Sequence, residues 1–186
     1  MRLAPWVELM LCWFAWIYPF LFRAPHFQKR RSITAATPSL IGLLLEGLAI
    51  FTAFVFRLPA SAPPGAARIA VSAIFAVLAA VLSWTSVHHL GRQFRIQAGL
   101  YEDHKLVRTG PYAVVRHPIF ASLLSALLCT LLLLPTPWQW CVVSLALFAI
   151  GTEIRIRAEE RLLESRFPDE FPEYRQRVPA YLPFLR

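Results

Sequence analysis

His104-Lys105-Leu106-Val107-Arg108-Thr109-Gly110-Pro111-Tyr112-Ala113-Val114-Val115-Arg116-His117-Pro118 runs without a break into a long apolar stretch, Ile119 to Leu134. The first part is basic, carries two histidines and is punctuated by Gly110-Pro111, a turn signal. Pro118 suits the first turn of a helix, where a missing N–H loses no partner. A polar, turn-rich loop is therefore fixed to the mouth of a hydrophobic helix. That junction is where a polar ligand would bind.

The rest of the chain repeats the apolar theme. Of 186 residues, 57% are hydrophobic and 16% charged, and the apolar residues come in runs rather than at helical period. Several segments have no polar face, which a soluble domain of this size would need on each helix. The expected fold class is all-α, a polytopic membrane bundle of about five spans at 6–22, 39–56, 69–87, 119–134 and 138–154, forming one domain over 1–186. A signal peptide is the competing reading of the first run, since Arg2 precedes it. The run is rich in aromatics and no small-residue cleavage site follows, so a span is preferred. After Arg155 the chain turns charged but stays helix-compatible to about Phe167. The tail from Pro168 has four prolines and reads as irregular. No strand pattern is present, which excludes a Rossmann-type nucleotide site.

The net charge of +8 would suit nucleic acid, but the basic residues flank apolar runs and form no separate basic domain. Sixteen of the nineteen Lys and Arg residues fall on one side of a five-span layout. The positive-inside rule makes that side cytoplasmic, with the N-terminus outside. The loop and the C-terminal tail then share one face. Cys12, Cys129 and Cys141 lie in apolar runs, match no metal-ligand spacing and read as small buried hydrophobes. No metal is expected.

Ionisable groups inside a membrane are functional candidates by default. Glu46 lies nearest mid-span, and its plainer reading is a neutral carboxyl bonded to a neighbouring helix. Glu8 reads as interfacial. Glu153 and Arg155 sit at the end of the fifth span, where they are either interfacial or face a site. His88 and His89 read as structural, whereas His104 and His117 stand among turn residues and charges and remain open as ligand contacts. The stretch Arg155 to Glu164 reads either as a solvated helix with i,i+4 pairs such as Arg155–Glu159, or as a continuation that holds Glu159 or Glu160 against the loop ending at His117. Carboxylates there would hold a cationic ligand.

Three motifs carry a resemblance. They are His104-x-Leu106-Val107-x-x-Gly110-Pro111-Tyr112-x-x-Val115-Arg116-His117-Pro118, the pair Glu159-Glu160, and the tail Glu173-Tyr174-Arg175-Gln176-Arg177-Val178-Pro179-Ala180-Tyr181-Leu182-Pro183. In combination they resemble the integral-membrane isoprenylcysteine carboxyl methyltransferases, relatives of the phospholipid N-methyltransferases. The resemblance covers about the last 85 residues; the earlier spans match only in hydrophobicity. It implies S-adenosylmethionine as cofactor, bound within residues 104–186 by the loop of His104, Leu106, Val107, Gly110, Tyr112, Arg116 and His117 and by Glu159 or Glu160. It implies Arg155 as the group that orients an acceptor carboxylate, with Glu159 beside it and Arg177 as a further candidate. One departure stands out: Phe167-Pro168-Asp169-Glu170-Phe171 replaces the Phe-Gly-Glu-Glu-Tyr common in the family.

The implied reaction is methyl transfer to a lipophilic acceptor that enters from the bilayer, releasing S-adenosylhomocysteine. An ionised carboxylate needs no base, while an amine or thiol would draw on His117 or a Glu. Two rivals stay open at this point: a phospholipid N-methyltransferase, and a non-enzymatic scaffold or transporter subunit.

Overall fold

The computed structural model describes residues 3–22, 32–34, 36–58, 64–94, 99–101 and 105–182. Five long helices form the body: α1 (Ala4–Phe22), α2 (Ala36–Val55), α3 (Ala66–Leu90), α4 (Pro118–Leu133) and α5 (Trp138–Arg166). A short α6 (Glu170–Arg177) follows. The architecture is a helical membrane bundle, with only one two-stranded pairing of three residues each among the described residues. Three of its helices are long and apolar enough to cross a bilayer, and α4 is a shorter apolar helix.

The boundaries follow from local chemistry. Pro118 opens α4 with His117 at its N-cap. Leu134 ends α4 in extended conformation, with Pro135 next in the chain, and the Arg68 guanidinium donates to the freed Leu132 carbonyl at 2.6 and 3.0 Å. Orphan carbonyls at a helix end need such donors. Gly91 closes α3 at φ +48°, its N–H donating to the Val87 carbonyl.

Packing is inside-out relative to a soluble domain. Large apolar side chains such as Leu11, Phe14, Leu44, Phe51, Ile74 and Val142 face outward. The interior is rich in small residues: Ala49, Ala53, Ala79, Ala126, Ser72, Ser83, Ser122 and Ser144 are buried. Small residues let helix backbones approach where lipid removes the hydrophobic drive to associate. α2 packs chiefly on α5, α3 on α4, and α1 on both α3 and α4. The aromatics of α1 bond across the bundle, Trp13 Nε1 donating to Thr130 at 3.0 Å and Trp16 Nε1 to Ser122 at 2.9 Å.

The structure corrects the sequence reading twice. Two three-residue strands, β1 (Ser32–Thr34) and β2 (Gly99–Tyr101), pair antiparallel with Ile33 opposite Leu100. Three residues are too short to show alternation. The tail is not irregular throughout, because α6 occupies Glu170–Arg177. Its Pro172 lies in the first turn, where a proline costs no hydrogen bond. α5 runs unbroken past its apolar half into the charged stretch, as the sequence suggests.

Candidate functional site

The charged half of α5 lies against the loop that precedes α4, and the three motifs interlock there. The Arg116 and His117 backbone N–H groups donate to the Pro179 and Ala180 carbonyls, both at 2.8 Å. The Arg116 side chain bridges the other two parts. Its Nε donates to Glu160 Oε1 at 2.8 Å, and its Nη1 donates to the Arg175 and Val178 carbonyls of the tail. The Tyr174 hydroxyl donates to the Tyr112 carbonyl at 2.5 Å. Loop, Glu-Glu pair and tail are one hydrogen-bonded unit.

His117 sits at its centre, 5% exposed. Its Nδ1 lies 3.3 Å from Glu159 Oε2 and its Nε2 lies 3.2 Å from Glu160 Oε1. Both nitrogens donate only in the protonated ring. Burial opposes that charge, but the two carboxylates outweigh it and raise the pKa of His117 above its ordinary value. Burial likewise works against ionised Glu160, and here His117 and Arg116 win, lowering its pKa. Burial pushes Tyr174 up to about 12. Tyr112 is raised well above its usual value, first by burial and then by the charge of Glu159.

A cavity of about 440 Å³ opens beside this unit, within the usual size of small-molecule pockets. Leu106, Val107, Tyr112, Arg116, His117 and Glu159 line it. Trp16, Ile17 and Phe20 of α1, with Leu43 and Ile50 of α2, add apolar side chains to the lining. Glu46 and Arg155 face the same cavity. Buried Arg155 donates from Nη1 to Glu46 Oε2 at 2.6 Å, and Thr152 donates to Glu46 Oε1 at 3.0 Å. The Arg155 guanidinium lies 4.7 Å from the centre of the Phe120 ring.

Not every residue singled out from the sequence reaches the cavity. Glu160 is turned into the Arg116–His117 contacts, so the two neighbouring glutamates have different surroundings. Gly110, at φ +61°, packs against the His89 ring: a Cβ there would fall 2.3 Å from His89 Nε2. Its place is a steric one in the turn. Arg177 is exposed and paired with Glu173. Arg155, whose i,i+4 partner in the sequence reading was Glu159, reaches across to Glu46 on α2. The plainer reading of Glu46 named a bond to a neighbouring helix, and the partner proves to be a guanidinium. His104 lies outside the described residues. Sequence reasoning missed Gln93, which lines the cavity and whose Oε1 is buried without a hydrogen bond among the described residues. A lone glutamine in a polar stretch gives no signal. Phe171, singled out as part of the departure from the family pattern, is fully buried and faces the cavity.

The fold and this interlocked unit define a membrane-embedded protein with a cavity lined by both charged and large apolar side chains. The sequence profile of the isoprenylcysteine carboxyl methyltransferase (ICMT) family matches residues 71–165, just over half of the chain. The chain belongs to that family. It is 32% identical over 111 residues to protein-S-isoprenylcysteine O-methyltransferase B of Arabidopsis thaliana, covering 59% of this chain and 56% of that protein. It is 37% identical over 84 residues to protein-S-isoprenylcysteine O-methyltransferase of Schizosaccharomyces pombe, covering 45% and 35%. It is also 37% identical over 95 residues to the cobalt-zinc-cadmium resistance protein CzcN of Cupriavidus metallidurans, covering 49% and 43%. The matched region thus spans about a third to a little over half of these relatives.

Proposed function

We propose that the protein transfers a methyl group from S-adenosylmethionine to the carboxylate of a lipophilic, isoprenylcysteine-like acceptor. The observation that carries this reading is a cavity whose lining holds charged side chains, among them Arg116, Arg155 and Glu159, together with large apolar ones. A zwitterionic sulfonium donor and a prenyl chain need those two environments within bonding distance of each other.

The residues present fit the donor. Of the two carboxylates that face the cavity, Glu46 is held by Arg155 and Thr152, so Glu159 is the one that suits the donor's ammonium. Gln93 Oε1, buried with no hydrogen bond among the described residues, is a polar group that a ligand would satisfy, and such orphans are rare without a role. Glu160 and Arg116 act one step back, holding His117 and the tail in place. When bound, the donor would supply an electrophilic methyl on a sulfonium, passed to the acceptor oxygen with the C–S electron pair left on sulfur.

The chain's own contribution is orientation and exclusion of water. Arg155 is the fork that suits the acceptor carboxylate. His117, with both nitrogens on carboxylates, is poorly placed to take a proton, which favours an acceptor that needs no base. Trp16, Phe20 and Leu43 are the apolar lining that would receive the prenyl chain. Five crossings with the C-terminus and the donor site cytoplasmic complete the reading, from the charge asymmetry of the sequence.

Calorimetry of S-adenosylhomocysteine with detergent-purified protein tests it. Saturable binding, lost in His117→Ala, is expected, followed by methylation of N-acetyl-S-farnesylcysteine and not of phosphatidylethanolamine. A folded sample that binds no S-adenosylhomocysteine sinks the reading.

A further inference from the structure

The Glu46–Arg155 pair is more than glue between helices. α2 and α5 already meet backbone to backbone. A Cβ on Gly42 would fall 2.6 Å from the Gly151 carbonyl oxygen, and one on Gly151 would fall 2.7 Å from that of Gly42. Ser144 adds a bond to the Ala49 carbonyl at 2.7 Å. The bare Gly42 also gives the Arg155 stem its path, since a Cβ there would sit 2.4 Å from Arg155 Cγ. The guanidinium is thus threaded over Gly42, set beside Phe120 and met by Glu46, whose other oxygen is fixed by Thr152. Both charges face the cavity. Glu46 lies ahead of the residues that the family profile matches.

Resting on the methyl-transfer reading above, we propose that Glu46 is a positioning residue that weakens Arg155 as a carboxylate receptor, so the acceptor is oriented without being overbound. The reason is the charge change in the reaction. A carboxylate anion and a sulfonium cation become a neutral ester and a neutral thioether. An uncompensated guanidinium in a partly dry cavity holds the anionic reactant far more tightly than the transition state, where that charge is already fading. Binding that favours the ground state does not speed the step. A second carboxylate already on the guanidinium reduces its pull on the acceptor and keeps the acceptor oxygen nucleophilic.

The test compares wild type with Glu46→Gln, which keeps size and a hydrogen bond but removes the charge. Calorimetry in detergent measures N-acetyl-S-farnesylcysteine, its methyl ester and S-adenosylhomocysteine. Removing one unit charge beside the site should tighten binding of the carboxylate by about tenfold. Affinity for the neutral ester and for S-adenosylhomocysteine should not move. In turnover, KM for the acceptor and kcat should fall together. Glu46→Asp keeps the charge but draws it away from Arg155, so it should give a smaller gain in carboxylate affinity; it carries the test if the Gln variant does not fold. A pair that only glues helices predicts that all three ligands weaken together with the melting temperature. That result overturns the inference, as does carboxylate affinity that is unchanged or lower in a variant that binds S-adenosylhomocysteine like wild type. A folded wild type that binds no S-adenosylhomocysteine overturns instead the functional reading on which the inference stands.

Discussion

Glu159 and Glu160 are adjacent in the chain, and replacing each by Gln should produce opposite phenotypes. The Glu160 side chain is 13% exposed, and its Oε1 accepts from Arg116 Nε and Nη2, both at 2.8 Å, and meets His117 Nε2 at 3.2 Å. Breaking a buried ion pair costs roughly 3–5 kcal/mol. Gln keeps one acceptor oxygen, so a loss of about 2 kcal/mol is expected, the size of a charge-assisted bond. For a chain of this length that lowers the melting temperature by about 4–8 °C. Glu159 is 28% exposed, with one 3.3 Å contact to His117, and it faces the cavity. Glu159→Gln should leave the melting temperature nearly unchanged. It should weaken S-adenosylhomocysteine by roughly 10- to 150-fold, the worth of one charged hydrogen bond. Thermal unfolding and calorimetry on the same two detergent preparations decide it. If Glu160→Gln proves stable and ligand-blind while Glu159→Gln melts early, the assignment of roles is wrong.

Four further outcomes follow from the same geometry. His117 has a raised pKa, so its stabilising contribution is complete below its unfolded value of 6.5 and is lost as pH rises through the folded value. Wild type should therefore lose more melting temperature than His117→Gln between about pH 6 and about pH 9, and parallel curves would remove the charged His117 from the argument. Glu160, with its lowered pKa, works at the other end: its contribution is present above 4.5 and is lost as pH falls through the folded value. Gly110→Ala would force a side chain into φ +61° and onto the His89 ring, whose Nδ1 is 2.8 Å from the Thr85 carbonyl. A loss of about 2 kcal/mol in unfolding experiments is expected. Gly151→Ala would push α2 and α5 apart at the Glu46–Arg155 pair. Both the melting temperature and acceptor affinity should drop, and a silent variant would show that the helices do not cross there.

The sequence by itself determined the membrane class, the positions of the long helices and the motifs of the site. Those features are local. Runs without a polar face, Pro118 at a helix start and the charged continuation of α5 each act through a few neighbouring residues. The helical tail segment and the three-residue strands were not legible, because each is too short for its periodicity to stand out. Tertiary structure alone decided which residues meet. Adjacent glutamates look alike in a sequence, yet on α5 one turns into the Arg116–His117 contacts and the other toward the cavity. Glu46 and Arg155 are separated by more than half the chain, and Gly42 and Gly151 bring them together because two helices without side chains at that point can touch. Partner choice of this kind depends on helix crossing and side-chain direction, and neither is written in any local stretch of the chain.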